Sequence, residues 1–327
     1  MLCSNNEEDC ARDTQKLLLF MGDNGHKVSK AKLQLIQTTV KYLGDDITCG
    51  TRALSSDRIN TIQNLPRPVT KQQVMSVLGI LGYCRQWVLN FTERAQPLQQ
   101  LANTPGVPLS GQVQWNEQAD KALCDLKAAL LSAPALGLPD HSRPFTLFVD
   151  EKQGFMNAVL TQLHGDKQRP VAYFSKKLDP IAAALPPCLR AVAATTEAVL
   201  ASTDVVLMSP LTVQVPHAVH SILIQAKTSH LTTARAIHYQ NVLCTLSNVT
   251  IERCSTLNPA TLLPTENEGE PHNCHDEIAK VVKPRVDLQE TPFEIGEIIF
   301  VDGCSLRLEN GAPSTSYAVV QGDRLLE

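Results

Sequence analysis

The sequence lacks the features of a membrane or secreted protein. No apolar run approaches the roughly 20 residues needed to cross a bilayer, because Asp, Lys, Arg or Pro interrupts every candidate. The N-terminus has no basic region followed by an apolar stretch, which argues against a secretory signal. The ten cysteines include no Cys-x-x-Cys pair, so reduced thiols are the default expectation. These absences predict a cytoplasmic protein with no membrane partner.

Positive charge is also scarce, since 29 Lys and Arg stand against 33 Asp and Glu, for a net charge of −4. This balance argues against a uniformly cationic surface for nucleic acid. The average conceals an asymmetry, however. Residues 51–100 carry six basic and two acidic side chains, whereas residues 266–309 carry eleven acidic and four basic ones. One interpretation is that the basic stretch forms a localised phosphate-contacting face. The other is that the basic and acidic stretches are two ordinary solvated faces.

The hydrophobic pattern changes twice along the 327 residues, which are enough for two or three domains. It first predicts a helix near 9–21, a strand at 40–44 and three helices between 56 and 133. Thr70 to Gln73 form a capping box that opens the second of these helices. The predicted buried positions of the second and third helices are Val74, Val77, Leu78, Leu81 and Cys84, and Ala119, Ala122, Leu123, Leu126 and Leu130. From residue 144 the period is two, and it predicts an α/β layer. The predicted elements of this layer are strands at 145–149, 155–163 and 170–175, a helix over about 187–202, and strands near 211–215 and 248–254. A polar connector follows, and a strand pattern restarts at Ile298.

Two predicted strands end on an aspartate, Asp150 and Asp302. A buried strand that delivers a carboxylate at its end is a common way to hold a divalent metal over a phosphodiester. One carboxylate does not make such a site, however. A further cluster, His272, Cys274 and His275, resembles metal ligands. Zinc would require a second spaced pair nearby, and none is present, so the cluster is interpreted as linker residues without a metal.

Several blocks together resemble retroviral Pol of the gammaretroviral, murine-leukaemia-virus type, and imply an endogenous copy. Residues 40–44 (VKYLG) resemble the segment after the polymerase palm, and residues 78–87 (LGILGYCRQW) resemble the thumb. Residues 133–140, 148–154, 170–180, 216–219 and 257–264 resemble the connection domain. Residues 300–305 (FVDGCS) resemble the first strand of ribonuclease H.

The resemblance implies a mixed α/β fold: a helical thumb bundle, a ribonuclease-H-like α/β connection domain and a truncated second ribonuclease-H-like domain. Asp150 and Asp302 would then occupy the same topological place. The implied domains are a palm remnant at 1–50, the thumb at 51–134, the connection domain at 135–264, a polar linker at 265–296 and the start of ribonuclease H at 297–327.

The parent activities that the resemblance implies are RNA-directed DNA synthesis and cleavage of RNA in RNA–DNA hybrids, both with Mg²⁺. The polymerase requires a Tyr-x-Asp-Asp turn, which the sequence does not contain. Asp45-Asp46 is interpreted as a solvated turn and not as a metal pair. Asp302 matches the first ribonuclease H carboxylate and would bind metal only in a complete site. Because the family's next carboxylate lies beyond the last residue, the chain is expected to be catalytically inactive.

The resemblance also implies contacts to nucleic acid. Tyr42, Leu43 and Gly44 resemble the loop that positions the primer end, although Asp45 departs from the family's apolar residue. In the thumb, the implied contact residues are Gly79, Gly82, Arg85 and Trp87. The alternative is structural: the two glycines would allow close helix packing, and the tryptophan would belong to the core.

The sequence therefore predicts part of a retroviral-type reverse transcriptase and ribonuclease H, itself inactive. Two alternatives remain open. One is a non-catalytic module that binds RNA–DNA hybrid or DNA duplex weakly. The other is an interaction partner of an intact reverse transcriptase.

Overall fold

The structure is a computed structural model that describes residues 2–4, 6–224, 230–254, 273–281, 298–307, 313–321 and 324–326. It separates into two compact units, residues 1–281 and 282–327. The helices of the described residues are α1 (Glu7–Asp23), α2 (Ser56–Gln63), α3 (Lys71–Tyr83), α4 (Phe91–Ala102), α5 (Glu117–Leu131), α6 (Pro180–Ala183), α7 (Pro187–Val206), α8 (Val219–Ile224), α9 (Thr233–Cys244) and α10 (Cys274–Val281).

Twelve strands in the described residues form three sheets. The strands are β1 (Thr39–Tyr42), β2 (Asp45–Thr48), β3 (Thr51–Leu54), β4 (Leu136–Gly137), β5 (Phe145–Lys152), β6 (Phe155–His164), β7 (Lys167–Lys177), β8 (Leu211–Val215), β9 (Val249–Arg253), β10 (Phe300–Arg307), β11 (Pro313–Gln321) and β12 (Arg324–Leu325). The sheet orders are β1-β2-β3-β4, β7-β6-β5-β8-β9 and β10-β11-β12. The mixed α/β fold class predicted from the sequence is confirmed.

The helical part is built around α3, α4 and α5. Thr70 caps α3 through a reciprocal pair of hydrogen bonds with Gln73, the capping box expected from the sequence. The predicted buried positions of α3 and α5 do lie in one core, which also includes Trp87 and Leu136. The structure adds α4, a helix that the sequence did not predict, because Pro97 inside it removes a backbone donor and argues against a helix.

The five-stranded sheet combines antiparallel and parallel strands. β5, β6 and β7 form an antiparallel meander, whereas β8 and β9 run parallel to β5. The connection from β7 to β8 runs through α7, whose buried side packs on the sheet. The alternating pattern predicted these strands correctly, but not the helices α8 and α9 that connect β8 to β9.

The two aspartates expected at strand ends lie inside their strands instead. Asp150 pairs with Asn157 of β6, and β5 continues to Lys152. The cause is a two-residue hairpin in which Gln153 and Gly154 both have positive φ, a geometry that extends both strands up to the turn. Asp302 pairs with Ala318 of β11 as the third residue of β10. Each aspartate therefore lies on the first strand of an antiparallel hairpin.

The polar linker predicted at 265–296 lies mostly outside the described residues, but it includes α10. Cys274 and Ile278 of α10 are each 2% exposed and belong to the core of the five-stranded sheet. The two side chains are four residues apart and so lie on one face of the helix. This short apolar face explains why a helix forms in a stretch whose average composition is polar. No helix in the described part of the chain is both long and apolar enough to cross a membrane.

Candidate functional site

The turn between β1 and β2 presents an exposed loop on one edge of the first unit. Leu43 and Gly44 have φ of +52° and +83°, as expected for a two-residue hairpin turn with both central residues left-handed. The side chain of Leu43 is 68% exposed, and Tyr42 is half-exposed beside it. A Cβ on Gly44 would overlap the guanidinium of Arg58. Glycine is therefore required here by backbone conformation and by close approach.

Arg58 connects this turn to helix α3. Its Nη2 donates to the backbone oxygen of Leu43 at 2.7 Å, and its Nη1 donates to Oδ1 of Asp45 at 3.0 Å. The guanidinium carbon lies 4.4 Å from the ring centroid of Tyr83 at the end of α3, and the Tyr83 hydroxyl donates to the same Leu43 oxygen at 3.4 Å. The structure therefore brings together the two predicted segments, the turn and the C-terminal end of α3.

The exposed face of α3 extends from this junction. It is formed by Gln72, Met75, Ser76, Gly79, Ile80 and Tyr83. A Cβ placed on Gly79 or Gly82 would meet no atom within 4 Å. The proposed packing role of these two glycines is therefore wrong within this chain. Each leaves open space on the surface of a helix, where glycine costs about 1 kcal/mol relative to alanine.

Arg85 and Trp87 lie on one 3-10 turn (Arg85–Trp87) but face different surroundings. Arg85 is exposed. Trp87 is 4% exposed and belongs to the core of the helical part, with the guanidinium carbon of Arg52 4.8 Å from its ring centroid. The expectation that Trp87 contacts nucleic acid is therefore wrong, and the alternative that it is a core residue is confirmed. Arg52 adds a cation–π contact to the apolar packing of this ring.

Asp45 and Asp46 are not the solvated turn expected from the sequence. Both lie in β2, where Asp45 pairs with Leu54 and Asp46 with Ala53. The Asp45 side chain is only 16% exposed and forms an ion pair with Arg58. Burial raises the pKa of this carboxyl, and the positive charges of Arg58 and Arg52 oppose the increase only in part. Asp45 and Asp46 lie in a strand because the turn of the β1–β2 hairpin ends at Gly44.

Most of the basic stretch 51–100 is occupied within the chain. Arg52 donates to the oxygens of Gln86 and Val171, Arg58 binds Asp45, Arg67 binds Asp120, and Lys71 donates to the carbonyls of Thr104 and Val107. The interpretation that all six basic residues form a single phosphate-contacting face is therefore wrong. These contacts fix loops and neighbouring strands instead, whereas Arg85 is exposed directly after the C-terminal end of α3.

A second cluster lies under the five-stranded sheet, between α7, α8 and α10. The Sγ atoms of Cys188 and Cys274 and a ring nitrogen of His217 all lie within 4.8 Å of one another. Nδ1 of His217 is 3.7 Å from Sγ of Cys274, and the backbone N–H of Ala218 donates to the same sulfur at 3.5 Å. Both cysteines are buried, and neither forms a disulfide.

The two thiols of this cluster titrate as a pair. The hydrogen bond between them lowers the pKa of Cys274 and raises that of Cys188, because one sulfur carries the negative charge while the other keeps the proton. His217 adds to the lowering at Cys274. His275, which the sequence groups with Cys274, is not part of this cluster. Nε2 of His275 is 3.1 Å from Oγ of Ser221, and His272 lies outside the described residues.

A magnesium site cannot be assembled from the described residues. Among them, the one group of three or more His, Cys, Asp or Glu side chains close enough to share a metal is the cluster of Cys188, His217 and Cys274. Mg²⁺ requires oxygen ligands in near-octahedral geometry, so thiols and an imidazole do not suit it. Asp302 is placed by its backbone on β10, and its side chain lies outside the described part of the structure.

Comparison with known proteins places this geometry in a family. Residues 115–213 match the model of the RNase H-like domain found in reverse transcriptase. The whole chain is 43% identical to part of the Pol polyprotein of feline endogenous virus ECE1, and 98% of it is 43% identical to part of the Gag-Pol polyprotein of baboon endogenous virus (strain M7). The chain belongs to the retroviral Pol family. This Pol chain spans 31% and 18% of the lengths of those two relatives.

Solved structures agree with this assignment at the level of fold. The foamy viral protease-reverse transcriptase in complex with an RNA/DNA hybrid superposes with a TM-score of 0.71 at 20% identity, over 98% of this chain and 41% of that one. The foamy viral protease-reverse transcriptase dRH in complex with double-stranded DNA gives 0.70 at 22% identity, over 78% of this chain and 44% of that one. The Pol chain therefore has the fold of this reverse transcriptase region.

Sequence reasoning missed three residues that organise these sites. Arg58 and Tyr83 hold the exposed turn against α3, yet in the sequence Arg58 was only one of six basic residues. His217 appeared within a resemblance block and was not linked to Cys274, 57 residues away. Because such contacts join distant segments, no local spacing in the sequence could have shown them.

Proposed function

We propose that this Pol chain is the thumb and connection part of a retroviral reverse transcriptase, and that it binds a nucleic-acid duplex without catalysis of its own. The observation that carries the proposal is the continuous exposed surface formed by the β1–β2 turn and the outer face of α3. Arg58 and Tyr83 hold its two halves together, and Gly79 and Gly82 leave open space between the side chains of this face.

The chemistry of this surface suits a duplex. Helical glycines that pack against nothing allow a backbone to approach a groove closely, and an exposed arginine next to them can contact phosphate. The contact residues that we propose are Tyr42, Leu43, Gly44, Gly79, Gly82 and Arg85. The relatives in complex with RNA/DNA hybrid and with double-stranded DNA support both duplexes as ligands.

Catalysis is not part of the proposal, because the sequence has no Tyr-x-Asp-Asp turn and the described residues offer no oxygen cage for Mg²⁺. We propose that Asp302 is the first ribonuclease H carboxylate, and that it takes part in Mg²⁺ binding only when the other carboxylates of a complete site are supplied. The check is a hybrid-cleavage assay with Mg²⁺ or Mn²⁺. Turnover that Asp302→Asn abolishes would contradict inactivity.

The test of duplex binding is fluorescence anisotropy with a labelled RNA–DNA hybrid and a labelled DNA duplex at several salt concentrations. We expect binding that weakens as salt rises, and a loss of about threefold to tenfold on Arg85→Ala together with a shallower salt dependence. Arg253→Ala, in the edge strand β9 of the five-stranded sheet, is the matched control and should bind as wild type. Equal loss in both variants, or no binding at low salt, would refute the proposal.

A second candidate is association with an intact reverse transcriptase. It is favoured by α1, which has no buried residue and leaves Leu19 and Phe20 60% and 66% exposed. An apolar face of this kind favours a protein partner. Co-purification with a separately expressed palm and fingers, reduced by a Leu19→Glu and Phe20→Glu double variant, is the expected result. Unchanged co-purification of the double variant would show that α1 is not the contact surface.

A further inference from the structure

We propose that Cys188, His217 and Cys274 form a binding site for a zinc ion that fastens α10 to the connection domain. The site is separate from the duplex-binding surface, because its ligands lie on α7, on the segment before α8, and on α10. None of these elements contributes to the β1–β2 turn or to α3.

The first argument is the geometry of the three ligand atoms. In a tetrahedral zinc site, a sulfur and a nitrogen ligand at about 2.3 and 2.0–2.1 Å from the metal are about 3.5–3.6 Å apart, and two sulfurs are about 3.8 Å apart. The contact of 3.7 Å between Sγ of Cys274 and Nδ1 of His217 is close to this S···N separation. The remaining separations are at most 4.8 Å, so rotation of a side chain can complete the arrangement.

The surroundings of Cys274 favour a thiolate, the form of cysteine that binds metal. Cys188 is the second residue of α7 and Cys274 is the first of α10, so both sulfurs lie near the positive end of a helix. The N–H of Ala218 donates to Sγ of Cys274. Backbone donors of this kind form the outer shell that orients metal ligands.

The ligand set favours zinc, and zinc at this site would join two distant helices. Two thiolates and an imidazole are soft and borderline donors that favour zinc over magnesium or calcium. Three protein ligands with water in the fourth position also complete a tetrahedral zinc site. A metal here would join α10 to α7 across 86 residues of sequence. It would thereby add to the burial of Cys274 and Ile278, which docks this eight-residue helix.

The test begins with the full chain, reduced and freed of metal, titrated with Co²⁺ and then with Zn²⁺. We expect one equivalent of Co²⁺ with the sulfur charge-transfer and visible bands of a tetrahedral thiolate site, and its displacement by Zn²⁺. Cys274→Ser and His217→Gln should each weaken binding by more than about tenfold. Cys244→Ser, which removes an exposed thiol of α9 in the same unit, should leave it unchanged.

Alkylation and hydrogen-exchange measurements on the wild-type chain make the test independent of whether a variant folds. Zn²⁺ should slow alkylation of Cys188 and Cys274 but not of Cys244, and should slow hydrogen exchange in α10. Absence of the cobalt spectrum would overturn the proposal. So would alkylation of the two cysteines at the same rate with and without Zn²⁺, or a Cys188–Cys274 disulfide that forms equally fast in excess Zn²⁺, since the last result would identify a redox pair instead.

Discussion

Arg58 donates a 2.7 Å hydrogen bond to the backbone oxygen of Leu43, across the open space that Gly44 leaves by having no side chain. This contact holds the exposed β1–β2 turn against the end of α3. An arginine can therefore support the proposed duplex-binding surface without contacting the ligand, because it fixes the backbone proposed to do so.

The first prediction is that Gly44→Ala destabilises the chain more than Gly25→Ala. Both glycines have positive φ, of +83° and +76°, so each substitution has the same backbone cost of about 1–2 kcal/mol. A methyl on Gly44 also displaces the guanidinium of Arg58 and breaks its bonds to Leu43 and Asp45, whereas one on Gly25 meets nothing within 4 Å. We expect an additional loss of about 1 kcal/mol or more, measured by urea unfolding. Equal losses would contradict the close approach.

The second prediction concerns the pair of Arg58 and Asp45. Arg58→Ala leaves a carboxylate that is 16% exposed without its cation, and we expect a cost of about 2–3 kcal/mol in unfolding free energy. Asp45→Asn removes the charge that has to be buried and should cost less. The double variant should therefore be more stable than the sum of the two losses predicts. Additive losses in chemical denaturation would show that the two side chains are not coupled.

How much of this structure the sequence could predict depends on whether a signal was local. The strands β5 to β8 and the capping box at Thr70 follow from periodicity and short-range chemistry, and they were predicted. Helix α4 was missed because Pro97 argues against a helix, although burial of Phe91, Leu98 and Leu101 outweighs that cost. The burial of the Asp45 side chain depends on Arg58, 13 residues away, and that of Cys274 depends on a sheet built from residues 145–253. Both are tertiary contacts, which a local sequence pattern does not show.

The third prediction is a pH effect at Asp179. Its carboxylate caps α6 by accepting from the N–H groups of Ile181 and Ala182, and it accepts from Arg235 at 2.7 and 3.0 Å. The bond from Arg235 is the main reason why the pKa of Asp179 is lowered. A lowered folded-state pKa means that the stabilisation is complete above the ordinary value near 4 and is lost as pH falls through the lower, folded-state value.

Asp179→Asn should therefore reduce the free energy of unfolding by about 1 kcal/mol at pH 7. At a pH below the lowered pKa of Asp179 the difference from wild type should nearly vanish, because the wild-type carboxyl is then protonated too. Asp166→Asn, in the exposed turn between β6 and β7, controls for loss of a surface charge. Thermal or urea unfolding across pH 2–7 measures both. A difference that is constant with pH would show that the ion pair contributes nothing.

The fourth prediction separates function from stability at Gly79. Because this glycine lies on an exposed helical face with open space around it, Gly79→Leu should raise the free energy of unfolding by about 0.5–1 kcal/mol through helix propensity alone. If the outer face of α3 approaches a duplex, the same side chain fills the space that the duplex needs, and affinity for RNA–DNA hybrid should fall at least about tenfold. Gly22→Leu, at another open helical position in α1, should stabilise without changing affinity. A chain that becomes more stable while it binds less well cannot have lost binding through damage to the fold. Unchanged anisotropy titrations for Gly79→Leu would instead remove this face of α3 from the interface.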